Sequence, residues 1–375
     1  MRICLDARKI WDSGLGNYIR GLLLSFDEMD SGIEWDLIVR SGKHPSYGSQ
    51  EVRNFLPRSK ARIYFHRSRD YSLKELCTLA AVINRTGCDF FHAPHYVVPL
   101  GVDPPYVATV HDLIHLRFGQ YFSAAKRAYA RWMLQRTCRN ARRVLTISHC
   151  TKLDLVEMLG VAEEKIHITY SGINRRYFTR LTQSDLERFR RSYRLPAEYL
   201  LYVGNLKPHK NVAGLLRAWA LLPDSVRPPL VVVGAKIDCY ADLRKQAQAS
   251  GKEKEIYFPG AVAEEDMVAL YQSAAAYAQP SYYEGFGAPP LEAMAAGIPT
   301  AVSNRGAQPE IVGDAALVFD PDRSEEFVHT LDLLLTDQEK RGELIVRGLR
   351  RAAEFTWERF ARETYQVYQR ISAER

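Results

Sequence analysis

Cysteine is scarce and scattered in this chain of 375 residues: Cys4, Cys77, Cys88, Cys138, Cys150 and Cys239, with no Cys-x-x-Cys pair. That excludes a disulfide-stapled scaffold and the usual structural zinc site, and it reads as a reduced, cytoplasmic chain. No apolar run approaches the ~20 residues of a membrane-spanning helix. The N-terminus opens into Arg2-Ile3-Cys4-Leu5-Asp6, which predicts a strand and not a signal peptide. Ser148 lacks a Gly-x-Ser-x-Gly context, so it is not expected to be a hydrolase nucleophile. His111 and His115 have the spacing of a zinc helix, but Asp112 stands where that motif needs glutamate. No zinc-finger or RNP-type pattern accompanies the basic residues, and nucleic acid is not an expected partner.

What is present is an ordinary globular composition, 46% hydrophobic and 25% charged, long enough for two domains with separate cores. The net charge of +7 is unevenly placed. Residues 1–175 hold 25 Lys+Arg against 17 Asp+Glu, and the remainder 26 against 27. The excess gathers in segments 53–69 and 126–143. Such segments suit phosphates or an anionic membrane surface, with a solvated face as the alternative. In segment 126–143 the helical spacing of Tyr129, Trp132, Met133 and Arg136 predicts a face packed on its own sheet, fringed by Lys126, Arg127, Arg131, Arg139, Arg142 and Arg143.

Short β-rich runs alternate with helical ones. Strands are predicted at 2–6, 36–40, 62–65, 89–92, 106–110, 144–148 and 166–170, then at 199–203, 230–233, 256–258, 276–278, 300–303 and 317–319. Helices are predicted at 125–139, 211–221, 266–273 and 325–335, among others. Such alternation means parallel sheets covered on both faces. Thirteen strands exceed one ordinary open sheet, so the fold class is α/β with two doubly wound Rossmann-like domains facing a central cleft, ligands binding beyond the carboxyl ends of the strands. The predicted domains are 1–175 and 195–355, joined by a charged helical connection over 181–194, with a last aromatic-rich helix over 356–375.

The densest information lies in 281–299. Glu284 and Glu292 bracket a Gly285-Phe286-Gly287 turn that leads into a helix. Pro289-Pro290 suits a helix start, and Gly297 with Pro299 ends the run. The amides of the turn and of the first helical positions suit an anion or a hydroxyl-rich ligand. Carboxylates that merely decorate a helix start are the bland alternative.

These residues resemble the family 4 glycosyltransferases, retaining enzymes of the GT-B fold. Glu284 and Glu292 match that family's two glutamates separated by seven residues. Asp12-Ser13-Gly14-Leu15-Gly16-Asn17-Tyr18 is similar to its N-terminal glycine loop, and Val110-His111-Asp112 to its strand-end histidine. The segment 202–211, Tyr-Val-Gly-Asn-Leu-Lys-Pro-His-Lys-Asn, looks like its phosphate loop. Pro309 to Ala316 and the Trp357 tail are similar to further family features, and in the GT-B fold that tail crosses back to the first domain.

The resemblance implies a nucleotide-sugar donor and a lipid-linked or glycan acceptor. Lys210 is the expected diphosphate cation, with an exposed loop lysine as the alternative. Asn205 stands where the family usually has arginine; Lys207 could supply the second cation or be plainly solvated. Gly14 and Gly16 are expected at the donor, or are turn glycines only. Glu292 is expected on the ribose, and Glu284 with Gly285, Phe286 and Gly287 nearer the donor sugar. The resemblance places His111 beside that sugar, while a lone strand-end histidine can equally be structural. No metal and no other cofactor is expected, since lysine and helix amides can meet the diphosphate charge. The 205–211 loop and the 309–316 segment look most like the mannosyltransferase branch, making GDP-mannose the first-choice donor, with UDP-sugars and dTDP-rhamnose open. A nucleotide-sugar 2-epimerase and a non-catalytic glycan-binding subunit are the other readings. The expected location is cytoplasmic, with peripheral attachment at the inner face of a membrane.

Overall fold

The computed structural model describes residues 1–12, 14–40, 61–68, 72–234 and 240–374. The chain forms two compact units, Met1–Gly172 with Phe355–Arg375, and Ile173–Glu354.

In the first unit the strands β1 (Arg2–Asp6), β2 (Glu34–Arg40), β3 (Ala61–His66), β4 (Phe90–Ala93), β5 (Tyr106–Val110), β6 (Arg143–Thr146) and β7 (Ile166–Ile168) make one parallel sheet of order β3-β2-β1-β4-β5-β6-β7. In the second, β8 (Leu200–Val203), β9 (Leu230–Val233), β10 (Ile256–Gly260), β11 (Ala276–Gln279), β12 (Thr300–Ser303) and β13 (Leu317–Phe319) follow the order β10-β9-β8-β11-β12-β13. Interior strands such as Leu230–Val233 and Ala276–Gln279 are buried throughout, and the first reads as a continuous apolar run. In each sheet the strand order reverses once, between β1 and β4 and between β8 and β11. The loops leaving those strands are where a doubly wound sheet binds its ligand.

The final helix, Trp357–Ala373, belongs to the first unit and packs on the Leu15–Glu28 helix. A Cβ on Gly21 would lie 2.2 Å from the Trp357 ring, so only glycine lets the two helices approach this closely. Phe26 stacks on Tyr368 with ring centroids 5.5 Å apart, and the Tyr368 hydroxyl reaches His92 Nδ1 at 2.6 Å. Each large aromatic buried this way contributes about 1.5–3 kcal/mol.

Two expectations need correction. Segment 181–194 is helical as expected, but it belongs to the second unit: the helix Gln183–Tyr193 opens with a Thr182/Asp185 capping box. Phe189 is buried, and the Tyr193 hydroxyl donates to Asp266 at 2.8 Å. The second correction concerns the basic helix, Ala124–Asn140, which buries Ala130, Met133, Leu134, Thr137 and Cys138. Met133 and the half-buried Tyr129 pack into the core as expected, but Trp132 does not, at 47% exposed.

Candidate active site

In the second unit β8 runs into a loop that closes with a single turn at Pro208–Lys210. Asn211 then takes a left-handed conformation (φ 53°) and caps the Val212–Ala220 helix, its Oδ1 accepting from Gly214 N at 3.2 Å. The turn delivers Lys210 to Glu284, in the loop after β11: Nζ lies 2.6 Å from Oε2, and the two side chains are only 13% and 12% exposed. A backbone bond from Tyr282 N to His209 O at 2.8 Å ties the two loops together. Burial, reinforced by the charge of Lys210, holds the His209 imidazole down at about 4.

The other oxygen of Glu284, Oε1, accepts from Ser281 Oγ at 2.8 Å and Gln279 Nε2 at 2.9 Å. Burial alone would raise this carboxyl. The Lys210 charge and hydrogen bond, with the Ser281 bond, outweigh it and hold the group below its usual value. The Glu284 carbonyl accepts from Ala307 N at 2.9 Å. Gly306 (φ 62°) lies so close that a Cβ there would sit 2.6 Å from Glu284 N. The neighbouring loop therefore clamps the glutamate backbone.

Gly285, Phe286 and Gly287 follow, Phe286 buried and Gly287 at φ 95°, and the helix runs from Ala288 to Ala295. Its N-terminus offers fewer donors than expected. Pro289 and Pro290 occupy the second and third helical positions and carry no N–H, so Ala288 and the glycine turn hold the amides available for an anion. Glu292 sits on this helix in a different setting. Its Oε2 accepts from the Tyr271 hydroxyl at 2.8 Å, and Tyr177 and Arg176 lie nearby. Burial raises this carboxyl above its usual value, and the Tyr271 bond and the Arg176 charge offset it only in part. Tyr177 and Tyr271 meet edge to face at 5.7 Å. Asn205 and Lys207 are exposed on the β8 loop, outside the buried pair. Asn205 Oδ1 accepts from Lys207 N at 3.3 Å, and its carbonyl accepts from the Tyr202 hydroxyl at 2.8 Å.

In the first unit Gly14 (φ 66°) caps the Leu15–Glu28 helix. A Cβ on Gly16 would lie 2.7 Å from Ile10 O, so the tight β1 turn itself requires this glycine. His111 directly follows β5. Its Nε2 donates to Pro94 O at 2.8 Å, which leaves Nδ1 as an acceptor. Burial keeps the ring below its usual pKa, against the opposing effects of that bond and of Asp112. Tyr18, from the glycine-capped helix, packs edge to face on His111 at 4.7 Å and bonds Thr109 Oγ1 at 2.9 Å.

Other polar groups have structural work. His92 is fully buried between Tyr368 and Thr109, its pKa pushed down to about 3 by burial and the neighbouring His111. Ser148 caps the His149–Leu159 helix. His111 lies outside any helix, so the zinc-helix geometry is not formed. Asp320 and Asp322, an Asp-x-Asp pair, both hold Arg305 Nη2 at 2.9 Å. Among the described residues no group of three or more His, Cys, Asp or Glu could hold a metal ion.

The basic helix is partly committed. Arg136 donates to Val98 O and Pro99 O at 2.8 and 3.1 Å, Arg131 to Met158 O at 3.1 Å, and Arg143 pairs with Glu374. Lys126, Arg127, Arg139 and Arg142 are exposed. Of the other basic segment, residues 53–60 and 69 lie outside the described residues, as do Ser13 and Cys239. Among the described residues no helix is long and apolar enough to cross a membrane.

Comparison with known proteins bears on the same two units. Residues 13–177 match the family model Glycosyltransferase Family 4, and residues 184–351 match Glycosyl transferases group 1. The chain is 30% identical over 280 residues to O-antigen chain mannosyltransferase B of Escherichia coli, covering 74% of this chain and 73% of that protein. It is 25% identical over 233 residues to the serotype-specific mannosyltransferase WbdA of Escherichia coli, covering 61% of this chain and 29% of that longer protein. The crystal structure of Anabaena HepE in complex with UDP and glucose superposes with a TM-score of 0.79 at 18% identity, covering 98% of this chain and 99% of that one. The chain belongs to the family 4 glycosyltransferases and is an enzyme of the GT-B fold.

Proposed function

We propose that this enzyme transfers mannose from GDP-mannose, with retention of configuration, to a lipid-linked or glycan acceptor in cell-surface polysaccharide assembly. The observation that carries the reading is the buried Lys210–Glu284 pair, set beside the glycine turn at the carboxyl ends of β8 and β11. Relatives named as mannosyltransferases support the choice of sugar.

Glycosyl transfer passes through an oxocarbenium-like state with negative charge growing on the leaving phosphate. Lys210 supplies the cation for that charge, helped by the amides of Gly285, Phe286, Gly287 and Ala288. Lysine suits this exchange because its ammonium is a point charge on a flexible stem. Releasing Lys210 to the diphosphate frees Glu284 Oε2 to accept from hydroxyls of the donor sugar. Glu292 accepts from the ribose diol, with Tyr271 holding its Oε2. Asn205 and Lys207 extend the phosphate loop into solvent. The first unit offers His111, through Nδ1, and the Gly14–Gly16 turn as donor contacts. The exposed basic residues of the Ala124–Asn140 helix, with Trp132, are proposed to meet an anionic membrane surface on the cytoplasmic side.

A thermal-shift screen of GDP, UDP and dTDP tests the base, since a ligand at 100 times its dissociation constant adds about 2.7 kcal/mol of stability. Product analysis with GDP-mannose then tests the sugar. A shift with UDP alone would overturn the GDP-mannose assignment. Epimerised donor formed without an acceptor would overturn transfer.

A further inference from the structure

Gln279 is the last residue of β11 and is 2% exposed, a carboxamide on a strand whose other members are Ala276, Tyr277 and Ala278. A buried amide is costly unless its polar atoms are bonded, and a leucine would fill the same space without that demand. Here every polar atom of the side chain has a partner. Oε1 accepts from the Tyr277 hydroxyl, while Nε2 donates to Ser281 Oγ at 2.8 Å and to Glu284 Oε1 at 2.9 Å. The amide orientation is fixed by chemistry: an ionised carboxylate only accepts, so the nitrogen must face Glu284 and the oxygen the phenol. The single Ser281 hydroxyl proton goes to Glu284 Oε1 at 2.8 Å, and its lone pair takes the other Gln279 N–H.

The two oxygens of Glu284 are therefore unequal. Oε1 holds two neutral donors from the end of β11 and the turn after it, while Oε2 holds Lys210 from another loop. A carboxylate otherwise turns about a broad, roughly two-fold terminal torsion. Two donors on one oxygen remove that freedom. We propose that Gln279 is a positioning residue that fixes Glu284 through Oε1, so that Oε2 alone changes partner when a donor arrives. The proposal rests on the reading of Glu284 as the ligand of the donor sugar. It adds the residue that makes one oxygen the contact. Besides Lys210, the ionisable groups facing this carboxylate are His209, Tyr202 and Tyr277.

The test uses the full chain with Gln279→Leu, Gln279→Glu, Ser281→Ala and Glu284→Gln. Calorimetry compares GDP with GDP-mannose, and carbon NMR of labelled glutamate follows the Glu284 carboxyl, assigned by its loss in Glu284→Gln. In Gln279→Leu, GDP affinity should stay within about twofold, while the preference for GDP-mannose over GDP should fall by about tenfold. The Glu284 titration should move to higher pH, and further in Gln279→Glu, where two carboxyls compete for one proton. Ser281→Ala should shift the titration in the same direction, which keeps the proposal testable if Gln279→Leu does not fold. An unmoved titration in Ser281→Ala and in every Gln279 variant that folds would reduce Gln279 to packing and overturn the proposal. An unchanged GDP-mannose preference in Glu284→Gln would instead overturn the sugar-ligand reading. The NMR shifts would then still decide whether Gln279 positions the carboxylate.

Discussion

Glu284 and Glu292 stand on either side of one glycine turn, yet their surroundings push them in opposite directions. Glu284 has a cation at 2.6 Å and two neutral donors, which hold it ionised despite burial. Glu292 has a phenol at 2.8 Å, and burial pushes it toward the neutral acid. Two carboxyls of one loop and helix are thereby fitted to different tasks by what faces them, a pattern of working sites. On the proposed reading Glu284, released by Lys210, takes the hydroxyls of the donor sugar, and Glu292 takes the ribose diol beside its phenol.

The largest effect should come from breaking the pair. Lys210→Ala should slow transfer from GDP-mannose by about 100-fold or more. It should also lower stability by about 3–5 kcal/mol, because the Glu284 charge is left buried alone. Steady-state kinetics and denaturant titration check both, and a variant with wild-type turnover would detach Lys210 from the chemistry. Glu292→Ala should act differently, raising KM for the donor and weakening free GDP by a similar factor with little change in kcat, as expected of uniform binding. A kcat defect with normal GDP affinity would make the two glutamates alike.

The comparison also has a pH signature. Glu284, depressed in the fold, contributes stability that is present above the ordinary carboxyl value of about 4.3 and lost as pH falls through its lowered value. Glu292, raised in the fold, contributes stability below the ordinary value that is lost as pH rises through its elevated one. Glu284→Gln should therefore cost more at pH 7 than at pH 4, and Glu292→Gln more at pH 4 than at pH 7. Thermal denaturation of both variants at the two pH values measures this, and parallel responses would erase the distinction.

Smaller effects are expected at exposed positions. Lys207→Ala should raise donor KM no more than a few-fold, since an exposed cation contributes about 1 kcal/mol or less; kinetics at low donor concentration measures this, and a loss as large as that of Lys210→Ala would move the second cation into the chemistry. An Arg139→Ala/Arg142→Ala double variant should lose part of its salt-sensitive binding to anionic vesicles. Equal recovery of wild type from anionic and neutral vesicles would remove the membrane role. Transfer should survive EDTA, and complete loss restored by manganese would overturn the expectation that no metal is needed.

Much of the fold was legible because its strands are buried on both faces. Runs such as Leu230–Val233 and Leu200–Val203 stand out as short, mostly apolar blocks. The motif order exposed Glu284, Glu292 and Lys210, since each lies in a loop after a strand or in the helix that follows it. What the sequence hid depends on three-dimensional register. Gln279 reads as a stray polar residue until the turn after β11 folds Ser281 and Glu284 back onto it, and Tyr271 and Tyr177 come to Glu292 from segments with no motif of their own. Pro289 and Pro290 were legible as a helix start, but their missing N–H groups weaken the anion site the same reading implied. On the Ala124–Asn140 helix the bulk of Trp132 hides that the smaller Ala130, Thr137 and Cys138 complete the buried stripe beside Met133. Helix 183–193 looked like a connection because charge dominates it, and its single buried Phe189 anchors it.

The division of labour between the two glutamates is tested most directly by titrating GDP and GDP-mannose calorimetrically into wild type, Glu284→Gln and Glu292→Gln. Glu292→Gln should weaken both ligands by the same factor, and Glu284→Gln should leave GDP unchanged while abolishing the extra affinity for GDP-mannose. Loss of GDP binding in Glu284→Gln, or intact GDP binding in Glu292→Gln, would contradict the account.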